Sequence, residues 1–221
     1  MKPNNHPRRI GLIHALRLSI DPINQAFADI WPQAQLMNLL DDSLSADLAA
    51  QGRGLDEAMH QRFITLADYA VAQGCDALLF TCSAFGSCVD AVAQRYPDLP
   101  VLKPNEAMID ETANYIDATI GLIASFAPTL NSMPAEFPKD TKIKTALAVG
   151  ALDALNQGDG ERHDQLIVAA ARELVAQGCD VIALTQFSMA RATDVVQTAI
   201  QRPTLSTPAS AVRALQKRLN R

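Results

Sequence analysis

The chain has 221 residues, 48% of them hydrophobic and 19% charged, with a net charge of −5. That balance describes an ordinary globular protein with enough chain for one good core or two small ones. The sequence has no long basic run and few aromatics, which excludes the electrostatic footprint of a nucleic-acid binder. No apolar stretch reaches membrane-spanning length, and the residues before Ile10 lack the apolar stretch of a signal peptide, so the expected location is the cytoplasm, with no membrane partner. There Cys75, Cys82, Cys88 and Cys179 are expected as reduced thiols. They form no C-x-x-C pair, so no metal site is expected.

In chain order, Arg9 to Ile13 reads as a buried strand, Asp21 to Ile30 as a helix with Asp21 as its cap, and Gln35 to Leu40 as a second strand. Leu55 to Gln73 places Leu55, Met59, Phe63, Leu66, Ala67, Ala70 and Val71 on one helical face, and Gly74 stops it. Ala77 to Phe80 is a strand too apolar to alternate, as when both faces are covered. A helix over Ser83 to Arg95, a short strand at Val101-Leu102 and a helix over Glu106 to Thr119 follow.

The second half runs the same way. It has a strand at Thr119 to Ala124, a weak helix from Pro128, a loop over Asn131 to Lys144 and a strand at Thr145 to Val149. Then come a helix over Glu161 to Gln177, a strand at Val181 to Leu184 and a helix over Met189 to Ile200. A strand at Thr204-Leu205 and a helix over Ala209 to Arg221 close the chain.

Alternating strands and helices predict parallel sheets covered on both faces. The order is also a duplication. Val71-Ala72-Gln73-Gly74-Cys75-Asp76 recurs letter for letter at Val175 to Asp180, and Ile10-Gly11-Leu12-Ile13 recurs at Ile120 to Ile123. Gln51-Gly52-Arg53-Gly54 is echoed by Gln157-Gly158-Asp159-Gly160. The expected fold is α/β, with two similar Rossmann-like parallel-sheet units related by a pseudo-twofold axis and an active site in the cleft between them. The first unit is expected over 1–117, joined by the last helix, 208–221, and the second over 118–207.

Ligands of parallel sheets sit at the carboxyl ends of the strands. The candidate site residues are therefore those that follow each strand. His14 reads either as substrate-facing or as a satisfied or solvated histidine. Asp42 and Ser43 read as site groups or as the cap of the next segment. Glu106 reads as a first-turn acid favoured by the helix dipole. Ser125 and Thr129 read as anion-binding hydroxyls or as ordinary caps. Thr81 aligns with Thr185 and Cys82 with Gln186, so Cys82 breaks the repeat at the site end, where the following helix start is expected to favour the thiolate. Cys75 and Cys179 lie at the opposite end of the sheets and are expected to be structural. Cys88 reads as packing, with a resolving-thiol role left open. His60 and His163 are placed on the exposed sides of helices.

Asp76-Ala-Leu-Leu-Phe-Thr-Cys82-Ser83, its echo Asp180-Val-Ile-Ala-Leu-Thr-Gln186-Phe187, and Glu106-Ala107 after the fourth strand resemble the aspartate/glutamate racemase superfamily. That superfamily includes hydantoin racemases, arylmalonate decarboxylase and maleate isomerase. The resemblance covers nearly the whole chain. It implies a cofactor-independent racemase or isomerase that transfers a proton at a carbon next to a carboxylate or carbonyl, with Cys82 as the acid/base or nucleophile. It implies a small anionic substrate held by Ser83 and Ala84 in one half and Phe187 and Ser188 in the other; association as a homodimer is left open. The sequence departs from the two-thiol pattern at Gln186, since an amide is no general base. Cys82 and Gln186 are thus expected to face each other, with Gln186 donating hydrogen bonds. Ser83-Ala84 stands where Asn-Thr is common, and Phe187-Ser188 where Thr-His is common. The alternatives are a lyase whose single thiol protonates an enediolate and a non-catalytic binding protein of the same fold. Phe85, Phe187 and Met189 are the apolar side chains named for substrate contact.

Overall fold

The computed structural model describes residues 7–51 and 54–220. They form two compact units, one running to Pro104 and resuming at Ala211, the other spanning Asn105–Ser210. The first holds strands β1 (Arg9–His14), β2 (Gln35–Leu40), β3 (Ala77–Phe80) and β4 (Val101–Leu102) in the order β2-β1-β3-β4, all parallel. Its helices are α1 (Ile20–Ile30), α2 (Ser43–Gln51), α3 (Glu57–Ala72) and α4 (Gly86–Arg95). The second holds α5 (Glu106–Thr112), β5 (Thr119–Ala124), α6 (Ala127–Ser132), β6 (Lys142–Leu147), α7 (Ala151–Asn156), α8 (Gly160–Ala176), β7 (Val181–Leu184), α9 (Thr193–Ile200) and β8 (Thr204–Ser206). Its sheet runs β6-β5-β7-β8, again parallel. The last helix, α10 (Thr207–Leu219), begins in the second unit and continues among the residues of the first.

The repeated hexapeptide has the same structural job twice. Gly74 and Gly178 take φ of 78° and 91°, a left-handed turn that glycine adopts without strain and that ends α3 and α8. The cysteine that follows is buried, and its sulfur packs under the glycine of the neighbouring central strand. A Cβ on Gly11 would lie 2.7 Å from Leu78 and 3.3 Å from Cys75; one on Gly121 would lie 2.7 Å from Ile182 and 3.2 Å from Cys179. The aspartate then bolts the strand start. Asp76 accepts from the Arg9 N–H at 2.8 Å, and Asp180 from the Thr119 N–H at 2.9 Å. The result is the same register, Ile13 opposite Phe80 and Ile123 opposite Leu184.

Helices α3 and α8 also match. Each is capped by an aspartate, Asp56 on the Met59 N–H and Asp159 on the Arg162 N–H. Met59, Phe63, Ala67 and Ala70 bury one face of α3, where Phe63 packs on Phe80 and Phe85. His163, Ile167, Ala171 and Leu174 bury the corresponding face of α8.

That correspondence corrects the reading of His163 as solvated. It stands where α3 has Met59, is fully buried, and holds the Asp164 carboxylate 2.8 Å from its Nδ1. His60 is half-buried, with its Nδ1 2.8 Å from the Asp56 carbonyl. Other boundaries shift for local reasons. The stretch 131–144 contains a 3-10 turn, Met133–Glu136, and the start of β6. Strand β6 is an edge strand with Lys142 and Lys144 exposed, so its sequence hides its pairing. Helix α5 ends at Thr112, short of Thr119, and Asp117 turns left-handed at φ 61° before β5. Helix α1 starts at Ile20, and no side chain caps it; Ser19 reaches instead to the Thr81 carbonyl at 3.5 Å. The short helices α2 and α7 carry too little apolar periodicity to be read from sequence.

The duplicated close approach yields a paired expectation. Gly11→Ala and Gly121→Ala should each destabilise the protein by about 1–3 kcal/mol through overpacking, measured as a lowered urea midpoint for each variant.

Candidate active site

In the first unit, β3 ends at Phe80 and the chain passes through Thr81 to Cys82, in extended backbone at φ −127° and ψ 120°. Only a single 3-10 turn, Ser83–Phe85, separates Cys82 from α4. The thiol is half-buried and borders a narrow apolar recess lined with Ile13, His14, Ala15, Leu44, Phe63 and Phe80. Burial pushes the Cys82 thiol above its ordinary value, while the Ala84 N–H and the Ser45 hydroxyl pull it down. This reverses the expectation of a thiolate favoured by a helix start. The apolar lining withholds solvation from the charged form, and the helix proper begins four residues later.

His14 ends β1 and is fully buried. Its Nδ1 lies 2.8 Å from the Thr81 hydroxyl and its Nε2 2.9 Å from the Asn38 side-chain oxygen. With Nε2–H donating to Asn38, Nδ1 accepts from Thr81, and the ring ties together the ends of β1, β2 and β3. Burial lowers the His14 pKa, with Asn38 opposing, so the imidazole is held neutral. Asp42 is exposed. The group that caps the segment is Asp41, which accepts from the Ser43 N–H at 3.2 Å and is ion-paired with Arg62 at 2.8 Å. Arg62 also pairs with Asp47 at 2.6 Å and donates to the Ser43 hydroxyl. This network holds α2, whose Leu44 lines the Cys82 recess and whose Ser45 donates to the Ala15 carbonyl at 2.9 Å. Ser83 and Ala84 are exposed beside the thiol.

In the second unit, Gln186 leaves β7 as Cys82 leaves β3, in extended backbone. Its side-chain oxygen accepts twice from Ser125, at 2.7 Å from the backbone N–H and 3.0 Å from the hydroxyl. That fixes the amide orientation. Its NH2 group has no partner among the described residues and is left as the donor. Thr185 donates to the Ile123 carbonyl at 2.9 Å, whereas the Thr81 hydroxyl, whose proton goes to His14, only lies 3.4 Å from the Ile13 carbonyl. Ser188 is half-buried, while Phe187 and Thr129 are buried. Glu106 begins α5, half-buried. Phe85 and Met189 are wholly inside their units' cores. Among the described residues no cluster of histidine, cysteine or acidic side chains could hold a metal ion, and no helix is long and apolar enough to cross a membrane.

The structure thus joins His14 to the Cys82 strand end and Ser125 to Gln186. It adds Asn38, Ser45 and Arg62, which the motif reading missed. Asn38 had a signal, since it alone interrupts the apolar run of β2. Ser45 and Arg62 had none, because their partners are set by packing far along the chain.

Residues 20–215 match the model of the Asp/Glu/hydantoin racemase family. A glutamate racemase of Ectopseudomonas mendocina (strain ymp) is 23% identical over 135 residues, 58% of this chain and 51% of that protein, so the match spans about half of that relative's length. The fold is shared with an aspartate racemase homologue from Pyrococcus horikoshii OT3, with a TM-score of 0.75 at 14% identity over 97% of this chain and 100% of that one. It is also shared with an allantoin racemase from Klebsiella pneumoniae, with a TM-score of 0.67 at 18% identity over 96% and 88% of the two chains.

Two measurements follow from these environments. Brief iodoacetamide treatment with mass-spectrometric mapping should label Cys82 first, because Cys75, Cys88 and Cys179 are buried; early labelling of Cys75 or Cys179 would contradict this. Since His14 is held neutral when folded but takes a proton near pH 6.5 when unfolded, its contribution to stability is present above that pH and lost as pH falls below it. Urea unfolding should show His14→Gln losing less stability than the wild type between pH 7.5 and 5.5.

Proposed function

The chain belongs to the Asp/Glu/hydantoin racemase family, and from that premise we propose an isomerase that moves a proton at a carbon next to a carboxylate or carbonyl, with Cys82 carrying the proton. The observation that supports it most is the position of Cys82. It is the half-exposed thiol at the carboxyl end of β3, set against an apolar recess, while the three other thiols are buried. In the forward step the Cys82 thiolate takes the carbon-bound proton, and the electron pair of that bond moves into the carbonyl to give an enediolate. Water then delivers a proton to the opposite face of the carbon, which inverts it, and the Cys82 thiol gives up its proton to the hydroxide left behind. A neighbouring apolar wall favours the uncharged thiol, so the resting group is a proton donor and the thiolate is the minor, reactive form. Gln186 carries no proton in this scheme. Ser125 occupies its oxygen, so its NH2 donates to a substrate oxygen and stabilises developing negative charge.

The raised thiol pKa also favours a second reading, a lyase. A malonate-type substrate loses carbon dioxide, the electron pair of the broken carbon–carbon bond forms the enediolate, and the Cys82 S–H supplies the proton. Water then reprotonates the thiolate. The two readings differ in pH dependence. Abstraction needs the thiolate, so its rate rises with pH through and beyond the ordinary thiol range near about 8.5. Protonation needs the thiol, so its rate is flat there and falls at higher pH.

NMR in deuterated water tests both. Amino acids, hydantoins and arylmalonates are incubated with the protein, and exchange at the α-carbon or loss of carbon dioxide is followed. Cys82→Ala should reduce the rate by at least about 100-fold, the scale of a positioned acid/base. Gln186→Ala should lower kcat/KM about tenfold, as loss of one hydrogen bond to a charged oxygen. Full activity of Cys82→Ala on a turned-over substrate would overturn the proposal.

A further inference from the structure

The chain passes from β1 through Ala15, in the Cys82 recess, into a 3-10 turn, Arg17–Ser19, before α1. This turn is tied to the Cys82 strand. Ser19 donates to the Thr81 carbonyl, and Ser45 donates to the Ala15 carbonyl just before the turn. Leu16, Arg17 and Leu18 all remain exposed on it, and so does Leu40, at the end of the adjoining strand β2. Leu40 pairs with His14 in register, two residues before Leu16, so the three exposed leucines all lie at or just past the ends of neighbouring strands, and an exposed apolar rim suits a ligand contact.

Charge is distributed as unevenly. Of the basic side chains near the strand ends of this unit, Lys103 pairs with Asp90, and Arg62 with Asp41 and Asp47. Arg17 makes no hydrogen bond or ion pair among the described residues. The corresponding position after β5 in the second unit is held by Phe126 and Ala127, without a cation.

We infer that Arg17 is the residue that recruits the substrate, a small carboxylate bearing an apolar substituent, with the guanidinium on the carboxylate and Leu16, Leu18 and Leu40 against the substituent. This rests on the proposed proton transfer at Cys82 for its meaning, but the contact stands or falls on its own. A guanidinium suits the task because its planar donors match a carboxylate's two oxygens. An exposed cation supplies a modest attraction that salt screens, so its mark is selectivity among incoming ligands.

Two alkylating reagents that differ in charge make the test. Iodoacetate carries a carboxylate, and iodoacetamide is its neutral counterpart. With either, the Cys82 sulfur bonds to the methylene carbon, the carbon–iodine bond breaks, iodide leaves, and the thiol proton goes to water. The rate at Cys82 is read by mass spectrometry, and the iodoacetate-to-iodoacetamide ratio is normalised to that of glutathione.

Arg17→Gln should lower this ratio about three- to fivefold at low salt, the scale of an exposed ion pair, without changing the iodoacetamide rate. Arg17→Lys should restore part of it, and 1 M salt should abolish the difference. Phenylacetate should protect Cys82 from iodoacetate at lower concentration than acetate, and Leu16→Ser with Leu18→Ser should remove that advantage. An unchanged ratio in Arg17→Gln would overturn the carboxylate contact, and equal protection by the two acids would overturn the apolar one. The deuterium-exchange rate of Cys82→Ala reports separately on proton transfer, so the two proposals fail independently.

Discussion

The approach of a cysteine to a glycine, made once in each unit, is the contact on which the rest depends. Without side chains at Gly11 and Gly121, the central strands lie close enough to the following strand that Cys75 and Cys179 fill the gap from below. The next residue, Asp76 or Asp180, locks the strand start through its carboxylate. Fixing the start fixes every pair above it, because a slip of one residue would break the bonds of the Asp76 and Asp180 carboxylates to the Arg9 and Thr119 N–H groups. Five residues on, the same register delivers Thr81 beside Ile13 and Thr185 beside Ile123, at backbone bonds of 3.1 Å in both units. Cys82 and Gln186 are then the first residues free of the sheet. A bond at the bottom of each sheet thereby sets the geometry at its top.

Above that common frame the units diverge in chemistry. In the first, the end of the central strand is His14-Ala15, and the imidazole is fully engaged in holding three strand ends. Its neighbours leave Cys82 against hydrocarbon. In the second, the equivalent pair is Ala124-Ser125, and the serine gives two donors to the Gln186 oxygen. One unit therefore carries a thiol in an apolar setting, and the other carries an oriented hydrogen-bond donor in a polar one. Neither state could be exchanged by swapping the single residue. A glutamine at position 82 would meet no second donor from Ala15, and its oxygen would face the apolar recess.

The duplication and the fold class were legible because strict sequence identity survived at the places with no steric freedom: the left-handed glycine, the cysteine under the strand and the aspartate bolt. The site end was legible only as a list of positions. Cys82 stood out because the repeat breaks there. Its electrostatics did not, since they depend on Leu44, Phe63 and Ser45, which reach it through packing that no spacing encodes. His163 was misplaced for a related reason. A polar residue on a helix suggests an exposed face, yet it continues the buried stripe that Met59 begins in α3, and Asp164 beside it accepts the ring's hydrogen bond. Strand β6 was misread because an edge strand tolerates lysines that a central strand excludes.

The apolar setting of Cys82 constrains what else the site must contain. A thiol kept uncharged by burial is poorly served by an anionic substrate alone, because a nearby negative charge pushes its pKa further up. The cost of forming the thiolate would rise at the moment the base is needed. A cation in the neighbourhood relieves this by neutralising the substrate's charge before it reaches the sulfur. His14 cannot supply that charge, since protonating it would place an ion in a fully buried seat. Arg62 cannot supply it while two carboxylates hold it. Arg17 has neither obstacle, and its exposure keeps it from fixing a permanent thiolate in the absence of ligand. On the proposed mechanism the resting sulfur is a neutral thiol, and Arg17 neutralises the charge of the arriving carboxylate.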